Sequence, residues 1–201
     1  MFKPRSSNGV ILYNGERMDG GGDFVSINLV DGFVEFRFNP GNGPAIIRSL
    51  QPIELNEWHT VYASRTAMMG ALQVDDQPEV GGYSVGAFTQ LSLPLNLFIG
   101  GVSDMKDVSR DASLTQSFSG CVQRVVQNGR TINLLEEALF GVNVADCPHP
   151  CTSEPCQRGG RCEPVLDSYM CHCPLGLVGE NCERGMCFDR DTLSPPPSSL
   201  V

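Results

Sequence analysis

The stretch Val25–Phe38, VSINLVDGFVEFRF, decides the fold, because apolar and polar residues alternate on both sides of Asp31-Gly32. Such alternation predicts β-strands with one dry face, since successive side chains of a strand point to opposite sides. Asp-Gly between two alternating runs predicts a tight hairpin, because both residues tolerate the positive φ that this turn requires. We therefore expect two antiparallel strands, with Val34, Phe36 and Phe38 facing the core.

Short runs of the same kind extend from Gly9 to about Arg130, broken by Gly, Asn, Asp and Pro. A further hairpin is predicted around Asn128-Gly129. Only Leu134–Phe140, LLEEALF, is predicted to be helical. Many short strands at this spacing indicate an all-β fold, in which antiparallel sheets pack face to face around one core.

The cysteine content divides the chain. One cysteine occurs among the first 146 residues, and eight occur between positions 147 and 187. A short, cysteine-dense unit is stabilised by disulfide bridges more than by a hydrophobic core. The prediction is a sandwich domain over residues 1–147, a cysteine module over 148–183, and a Pro/Ser-rich, disordered tail over 184–201.

The cysteine density also indicates where the protein works, because disulfide bridges persist in oxidising, extracellular surroundings. Met1–Ser7 is polar and does not resemble a signal peptide, and no segment approaches the ~20 consecutive apolar residues of a membrane span. We expect a secreted protein of the extracellular matrix or cell surface, without membrane insertion, and an incomplete chain.

The charge argues against polyanionic partners. The formal net charge is -9, and both parts of the chain contain more acidic than basic residues. Nucleic acid is therefore excluded as a partner. Heparin-like chains bind clustered basic residues, but lysine occurs only at Lys3 and Lys106, so heparin binding is not expected.

Catalytic arrangements are missing from the sequence. His59 lies in a strand pattern, while His149 and His172 lie in the cysteine module, and none adjoins a serine or cysteine nucleophile in a known motif. Gly20–Gly22 precedes a strand instead of a helix, which is unlike a phosphate-binding loop. We predict that the protein is not an enzyme.

The cysteine module has the spacing C-x4-C-x5-C-x8-C-x-C-x8-C from Cys151 to Cys182. Six cysteines alone permit many pairings. With Gly176 and Gly179 before the last cysteine, the spacing resembles the epidermal-growth-factor-like (EGF-like) module. That resemblance implies three disulfide bridges: Cys151 with Cys162, Cys156 with Cys171, and Cys173 with Cys182.

Within this module, Cys151–Cys156, CTSEPC, matches the family pattern for O-glucosylation of a serine. The resemblance implies Ser153 as the acceptor, and an unmodified turn serine is the alternative. Cys187 lies beyond the module and has the position of a first cysteine in a further module that the chain does not complete.

The first unit resembles the laminin G-like family. The resemblance rests on six segments: Gly9–Gly15, Asp23–Leu29, Val34–Phe38, Trp58–Val61, Phe98–Gly101 and Phe118–Cys121. It implies an antiparallel jelly-roll sandwich with a bridge between Cys121 and Cys147. The family's first two or three strands have no counterpart before Gly9, so an N-terminally truncated domain is expected.

Many members of this family hold Ca²⁺ at one rim of the sandwich through carboxylates and backbone carbonyls, as suits a hard cation. The resemblance places the first ligand on Asp23 and a carbonyl ligand on Pro40. A further ligand is expected near Ser92, which is a weak replacement for Asp or Asn, and Gln90 offers only its carbonyl oxygen. The alternative is that Asp23 is a solvated turn residue.

The two resemblances together imply an adhesion module that binds glycan or protein receptors, such as cell-surface glycoproteins of the dystroglycan kind and matrix proteins. Calcium dependence is possible through the rim ligands. Two alternatives stay open from the sequence: a signalling ligand in which the EGF-like module engages a receptor kinase, and a fragment of an adhesion-receptor ectodomain of the neurexin or Crumbs type.

Overall fold

A computed structural model describes residues 1–145 and 147–185 of the chain. These residues divide into two compact units, Met1–Gly141 and Val142–Val201, so the division falls six residues before the predicted boundary at 147. Most of the predicted disordered tail, and Cys187 within it, lie outside the described residues.

The first unit is built from short β-strands. In chain order they are β1 (Phe2–Pro4), β2 (Gly9–Gly15), β3 (Phe24–Val30), β4 (Phe33–Asn39), β5 (Ala45–Arg48), β6 (Val61–Thr66), β7 (Met69–Val74), β8 (Val80–Tyr83), β9 (Phe98–Ile99), β10 (Gly120–Val122), β11 (Val125–Gln127) and β12 (Arg130–Ile132). Two 3₁₀ helices, Met105–Asp107 and Arg110–Ala112, lie between β9 and β10.

The strands form antiparallel sheets. The largest has the order β5-β4-β3-β2-β9, and a second has the order β6-β7-β8. Two pairs, β1-β10 and β11-β12, complete the first unit. The predicted all-β, antiparallel fold is confirmed.

Both predicted hairpins form at the predicted dipeptides. Val30 pairs with Phe33 across Asp31-Gly32, whose φ angles are 52° and 82°. At the second hairpin, Asn128 and Gly129 have φ angles of 51° and 79°. Two consecutive positive φ values characterise the turn whose twist matches that of the flanking strands, which is why Asn-Gly and Asp-Gly favour it.

The main core lies between the two larger sheets. From the five-stranded sheet, Phe38 and Ile47 are at most 1 % exposed, and Leu72 of β7 closes the core from the other side. Gly70 lets the sheets approach, because a Cβ at this position would lie 2.5 Å from Cε1 of Phe38 and 2.7 Å from Cδ1 of Ile47. Glycine is thus required here by packing rather than by a turn.

The other face of the five-stranded sheet departs from expectation. Alternation predicts that Ser26 and Asn28 face solvent, yet they are 0 % and 1 % exposed. The segment with the two 3₁₀ helices covers them, and Val108 and Ala112 pack there beside Tyr13. This face is therefore buried as well, although it includes polar residues beside Tyr13 and Phe24.

Directional bonds hold the covering segment in place. Asn28 donates Nδ2–H to the Ala112 carbonyl at 2.9 Å, and Arg37 donates to the Asp111 carbonyl at 3.1 Å. Asn39 donates to the Asp111 carboxylate at 3.1 Å. Buried polar side chains are tolerated when such partners replace water.

A buried carboxylate, that of Glu35, completes this face. Its Oε2 accepts two bonds from Arg37, at 2.8 and 2.6 Å, and its Oε1 accepts one from Arg48 at 3.0 Å. Glu35 is 3 % exposed, so both neighbouring guanidinium groups are needed to compensate its lost hydration.

The predicted helix Leu134–Phe140 is wrong. The segment makes only one turn, in which the Glu137 N–H bonds the Asn133 carbonyl at 2.9 Å. Leu135 and Leu139 are 85 % and 76 % exposed, so no apolar face is buried to stabilise a longer helix. A single turn without tertiary contacts cannot offset the cost of helix nucleation.

The second unit is a small, bridged module. Its elements are the 3₁₀ helix Pro150–Ser153 and the strands β13 (Arg161–Val165), β14 (Ser168–His172), β15 (Leu177–Val178) and β16 (Arg184–Gly185). β13 pairs with β14, and β15 pairs with β16. The predicted tail from residue 184 is therefore corrected at its start, because Arg184 and Gly185 belong to a strand.

Candidate functional site

Several loops meet at one end of the sandwich, which we call the rim: residues 16–23, 40–44 and 84–92, and the turn between β6 and β7. Strand pairing puts the first two there, because Phe24 at the start of β3 faces Asn39 at the end of β4. Hydrogen bonds between the loops, described below, bring in the others.

Asp23 lies at the centre of the rim. Its carboxylate Oδ2 accepts a hydrogen bond from the Ser92 N–H at 2.8 Å, although the two residues are 69 positions apart. Its own N–H donates to Oε2 of Glu16 at 2.9 Å. The structure thus brings together Asp23 and Ser92, as the sequence predicts, and adds a second carboxylate, Glu16, that sequence reasoning missed.

The loop after β4 passes beside Asp23. Oδ1 of Asn39 accepts bonds from the N–H groups of Gly41 and Gly43 at 2.8 and 3.0 Å, which fixes the loop containing Pro40. A Cβ on Gly41 would lie 3.5 Å from Oδ1 of Asp23. The Pro40 segment therefore borders the carboxylate. Gln90 is exposed, and the described residues include no hydrogen bond from its side chain to Asp23.

Arg65 is a basic group of the rim that lies near Asp23, and sequence reasoning missed it as well. Its guanidinium donates to the carbonyls of Ala67 and Thr89, the latter at 3.2 Å, and lies over the Phe38 ring. Burial lowers the pKa of Arg65, and the Asp23 carboxylate acts against that shift. The sequence does contain a signal for Arg65. It lies on the same face of β6 as Val61 and Ala63, a position at which the alternation predicts an apolar residue.

The rim also exposes apolar surface. Phe88 and Val85 are 56 % and 65 % exposed. They border the loop after β4, since a Cβ on Gly41 would meet the Phe88 ring at 3.2 Å and one on Gly43 would meet Val85 at the same distance. An exposed aromatic side chain beside charged groups is a common feature of protein-binding surfaces.

The rim contains oxygen atoms of the kind that Ca²⁺ takes as ligands. Carboxylates of Asp23 and Glu16, the Pro40 carbonyl and the Ser92 hydroxyl are all hard donors. However, the described residues contain no group of three or more His, Cys, Asp or Glu arranged for a metal. Few carboxylates, with Arg65 nearby, predict a site of low affinity, because affinity for calcium rises with the negative charge of its ligands.

His59 has a structural role. Its Nδ1 lies 2.7 Å from Asp75 Oδ2, its Nε2 lies 2.8 Å from the Glu54 carbonyl, and the residue is 7 % exposed. Both ring nitrogens are engaged, so neither is available as a general base.

The second unit has three bridges, Cys151–Cys162, Cys156–Cys171 and Cys173–Cys182, which are the pairs that the resemblance implies. Cys121 and Cys147 are also disulfide-bonded. Ser153 is exposed, and its hydroxyl donates to the Pro150 carbonyl at 2.8 Å. Its O-glucosylation stays a prediction.

Comparison with known families gives two matches. Residues 2–133 match the laminin G domain. The chain belongs to the laminin G family. Residues 151–181 match the EGF-like domain, so this laminin G chain has the two-part architecture predicted from its sequence.

Curated relatives of this laminin G chain are large proteins. It is 43 % identical over 185 residues to pikachurin of Bos taurus, with 92 % of the chain and 18 % of pikachurin covered. It is 36 % identical to the basement membrane-specific heparan sulfate proteoglycan core protein (perlecan) of Mus musculus, covering 91 % of the chain and 5 % of that protein. Neurexin-2 of Homo sapiens is 32 % identical, with 89 % and 11 % covered.

Solved structures show the same fold. The LG1-3 region of the laminin α2 chain aligns with a TM-score of 0.58 at 23 % identity, covering 68 % of this chain and 28 % of that one. Domains LG4-5 of the mouse laminin α1 chain align with a TM-score of 0.58 at 24 % identity, covering 66 % and 35 %.

These findings establish the class of protein. Laminin G and EGF-like domains are non-enzymatic adhesion modules, and the relatives are extracellular, so this laminin G chain is an extracellular adhesion module. In the described part of the chain, no helix has the length and apolar character needed to cross a bilayer.

Proposed function

We propose that this chain binds a cell-surface glycoprotein of the dystroglycan kind through the rim, and that calcium strengthens the contact without being held tightly. The observation that carries the proposal is the bond between the Asp23 carboxylate and the Ser92 N–H. It supports a rim at which ligands from distant loops are gathered before any partner arrives.

Preorganisation favours such a role. The loop around Pro40 is fixed by Asn39, and residues 89–92 are held from both sides, by Arg65 at Thr89 and by Asp23 at Ser92. Loops that are already ordered lose little conformational entropy when they bind. Phe88 adds an exposed aromatic contact beside them.

Calcium, when bound, would supply positive charge that attracts an acidic group of the receptor. Asp23, Glu16, the Pro40 carbonyl and Ser92 are the residues that would hold it. With two carboxylates and a nearby guanidinium, we expect an affinity of roughly 10⁻⁴–10⁻³ M, in the range of extracellular modules.

Calorimetric titration of the folded, oxidised chain with CaCl₂ measures its affinity for calcium. Two variants should change this affinity in opposite directions. Asp23→Asn removes one negative charge and should weaken binding by at least about tenfold. Arg65→Gln removes the competing charge and should strengthen it by roughly two- to fivefold, as expected for ~0.5–1 kcal/mol at a partly exposed charge. Asp31→Asn is the matched control, because Asp31 lies in the turn at the opposite end of β3 and Asn accepts its φ of 52°.

Receptor binding is tested separately, on immobilised dystroglycan purified from tissue, with calcium or with a chelator. We expect Asp23→Asn and Phe88→Ala to reduce binding and Asp31→Asn to leave it unchanged. Undiminished binding of both rim variants would place the receptor surface elsewhere. If receptor binding is insensitive to the chelator but is lost in Phe88→Ala, the rim is the receptor-binding surface and calcium has no part in the contact.

A further inference from the structure

Four Asn-Gly dipeptides occur in the chain, at Asn8, Asn14, Asn42 and Asn128. In this dipeptide the glycine nitrogen can attack the asparagine side chain, because glycine has no Cβ to hinder the approach. The attack needs a free glycine N–H and an asparagine side chain that can rotate toward it. The fold provides these conditions very unequally at the four sites.

Asn8 and Asn14 are restrained through their side chains and through strand β2, which holds the glycine after each of them. Oδ1 of Asn8 accepts from the Asp31 N–H at 3.0 Å, and Nδ2 of Asn14 donates to the Leu95 carbonyl at 2.7 Å. The glycines that follow both residues lie in β2 and pair with β3. Neither side chain can rotate toward the next nitrogen unless β2 opens.

Asn42 is exposed, but its neighbour is engaged. The Gly43 N–H, which would be the nucleophile, donates to Oδ1 of Asn39 at 3.0 Å. Asn42 also packs against Gly86, where a Cβ would lie 2.4 Å from the Asn42 Cβ. Reaction here requires that the loop after β4 come apart.

Asn128 differs from the other three. It is exposed at the tip of the β11-β12 hairpin, and the described residues include no hydrogen bond to its side chain or to the Gly129 N–H. No atom lies within 4 Å of a Cβ placed on Gly129. The hairpin has only three residue pairs and joins no larger sheet, so it opens at little cost.

We propose that Asn128 is a site of spontaneous deamidation that converts the turn into an isoaspartyl-glycine turn. Hydroxide removes the Gly129 N–H proton, the nitrogen attacks Cγ of Asn128, and ammonia leaves as the five-membered succinimide forms. Water then opens either carbonyl of the ring, which gives aspartate or isoaspartate at position 128.

The product changes this surface in two ways. Isoaspartate adds one carbon to the backbone, which the tight turn between Gln127 and Arg130 cannot accommodate without losing its pairing. It also adds a negative charge beside Arg130, whose guanidinium now bonds both carboxylate oxygens of Glu137 at 3.0 and 2.6 Å. The new carboxylate at position 128 would therefore compete with Glu137 for Arg130.

The test is site-resolved mass spectrometry of the folded, oxidised chain after incubation in mildly alkaline buffer. Trypsin separates the sites into the peptides Val125–Arg130, Phe38–Arg48 and Ser6–Arg17. We expect Asn128 to lose its amide at least about tenfold faster than the other three asparagines. Those sites must first open locally, and an opening free energy of ~1.4 kcal/mol slows the reaction about tenfold. Isoaspartyl methyltransferase should transfer methyl groups to the same peptide.

Two controls make the result decisive. In the reduced chain in urea, all four sites should react at comparable rates, because only the fold distinguishes them. Asn128→Gln keeps the amide but would need a larger ring, so methyl transfer to the folded chain should disappear. The proposal is overturned if Asn42 reacts as fast as Asn128 in the folded chain. It is equally overturned if Asn128 stays amidated when the unfolded chain has lost its amide.

Discussion

Gly70→Ala is the sharpest test of how the two larger sheets pack. The new methyl carbon would lie 2.5 Å from Cε1 of Phe38 and 2.7 Å from Cδ1 of Ile47, whereas ordinary contacts begin near 3.4 Å. The Phe38 ring has little room to retreat, because Phe36 and Arg65 lie 5.4 and 5.7 Å from its centre. Overpacking of this kind costs about 1–3 kcal/mol.

The neighbouring strand offers a matched control. A Cβ on Gly81 has one neighbour within 4 Å, the Gly70 carbonyl oxygen at 3.7 Å, so there is room for a methyl group. Neither glycine has the positive φ that would disfavour alanine. Gly81→Ala should therefore be neutral or stabilising by up to ~1 kcal/mol, since alanine restricts the unfolded chain.

Trp58 fluorescence is a convenient assay, because it is the only tryptophan of the chain and belongs to the first unit. At roughly 2–4 °C per kcal/mol for a protein of this size, Gly70→Ala should lower the Tm by about 2–12 °C. Gly81→Ala should not lower it. Equal Tm values for the two variants would refute the claim that Gly70 is fixed by contact with Phe38 and Ile47.

Three further outcomes are expected. Hydrogen bonds from Arg130 and then Asn133 lower the pKa of Glu137. The turn 130–137 should therefore be ordered above the ordinary pKa of glutamate and be lost as the pH falls through the lowered pKa. Amide exchange at Glu137 measures this, and a turn that is insensitive to acid would contradict it. Replacing Cys156 and Cys171 together by serine should lower the free energy of unfolding of the second unit by about 3 kcal/mol, as expected for a loop of this length. Residues 148–185 should then be digested faster by a protease. An unchanged rate of digestion would argue against this bridge as the main source of stability of the unit. Ser153→Ala should remove a hexose from the chain secreted by cultured cells, and an identical mass before and after substitution would exclude O-glucosylation there.

The sequence predicted the parts of the fold that depend on local rules. Both hairpins form where Asp31-Gly32 and Asn128-Gly129 provide two tolerant residues in succession, and β4 buries Phe36 and Phe38 as its alternation indicates. The helix predicted at 134–140 failed because its composition favours a helix but no partner surface covers its leucines. Local propensity is a weak guide where tertiary contacts are missing.

The rim was predicted in part. The resemblance to the laminin G family placed Asp23 and Ser92 together, and the structure does so through a hydrogen bond. Glu16 was missed because only the pairing of β2 with β3 shows that it lies beside Asp23. Arg65 was missed because it reaches the rim through a contact between segments that are far apart in the sequence. The burial of Ser26 and Asn28 was missed for the same reason, since their cover comes from residues about 80 positions later.

The cover over the polar face of the five-stranded sheet limits where partners can bind. A sheet of this kind often presents its polar face as open surface, but here that face is closed by the segment around residues 105–112 and by the bonds that Asn28, Arg37 and Asn39 make to it. A partner that bound this face would have to displace the segment and break the hydrogen bond from Arg37 to Asp111. Within the first unit, the surfaces that stay open include the loop edge around Asp23 and the outward side of β6-β7-β8, where Tyr62 and Tyr83 are 65 % and 70 % exposed. A polar cover inside the fold thus restricts which outer surfaces remain for adhesion.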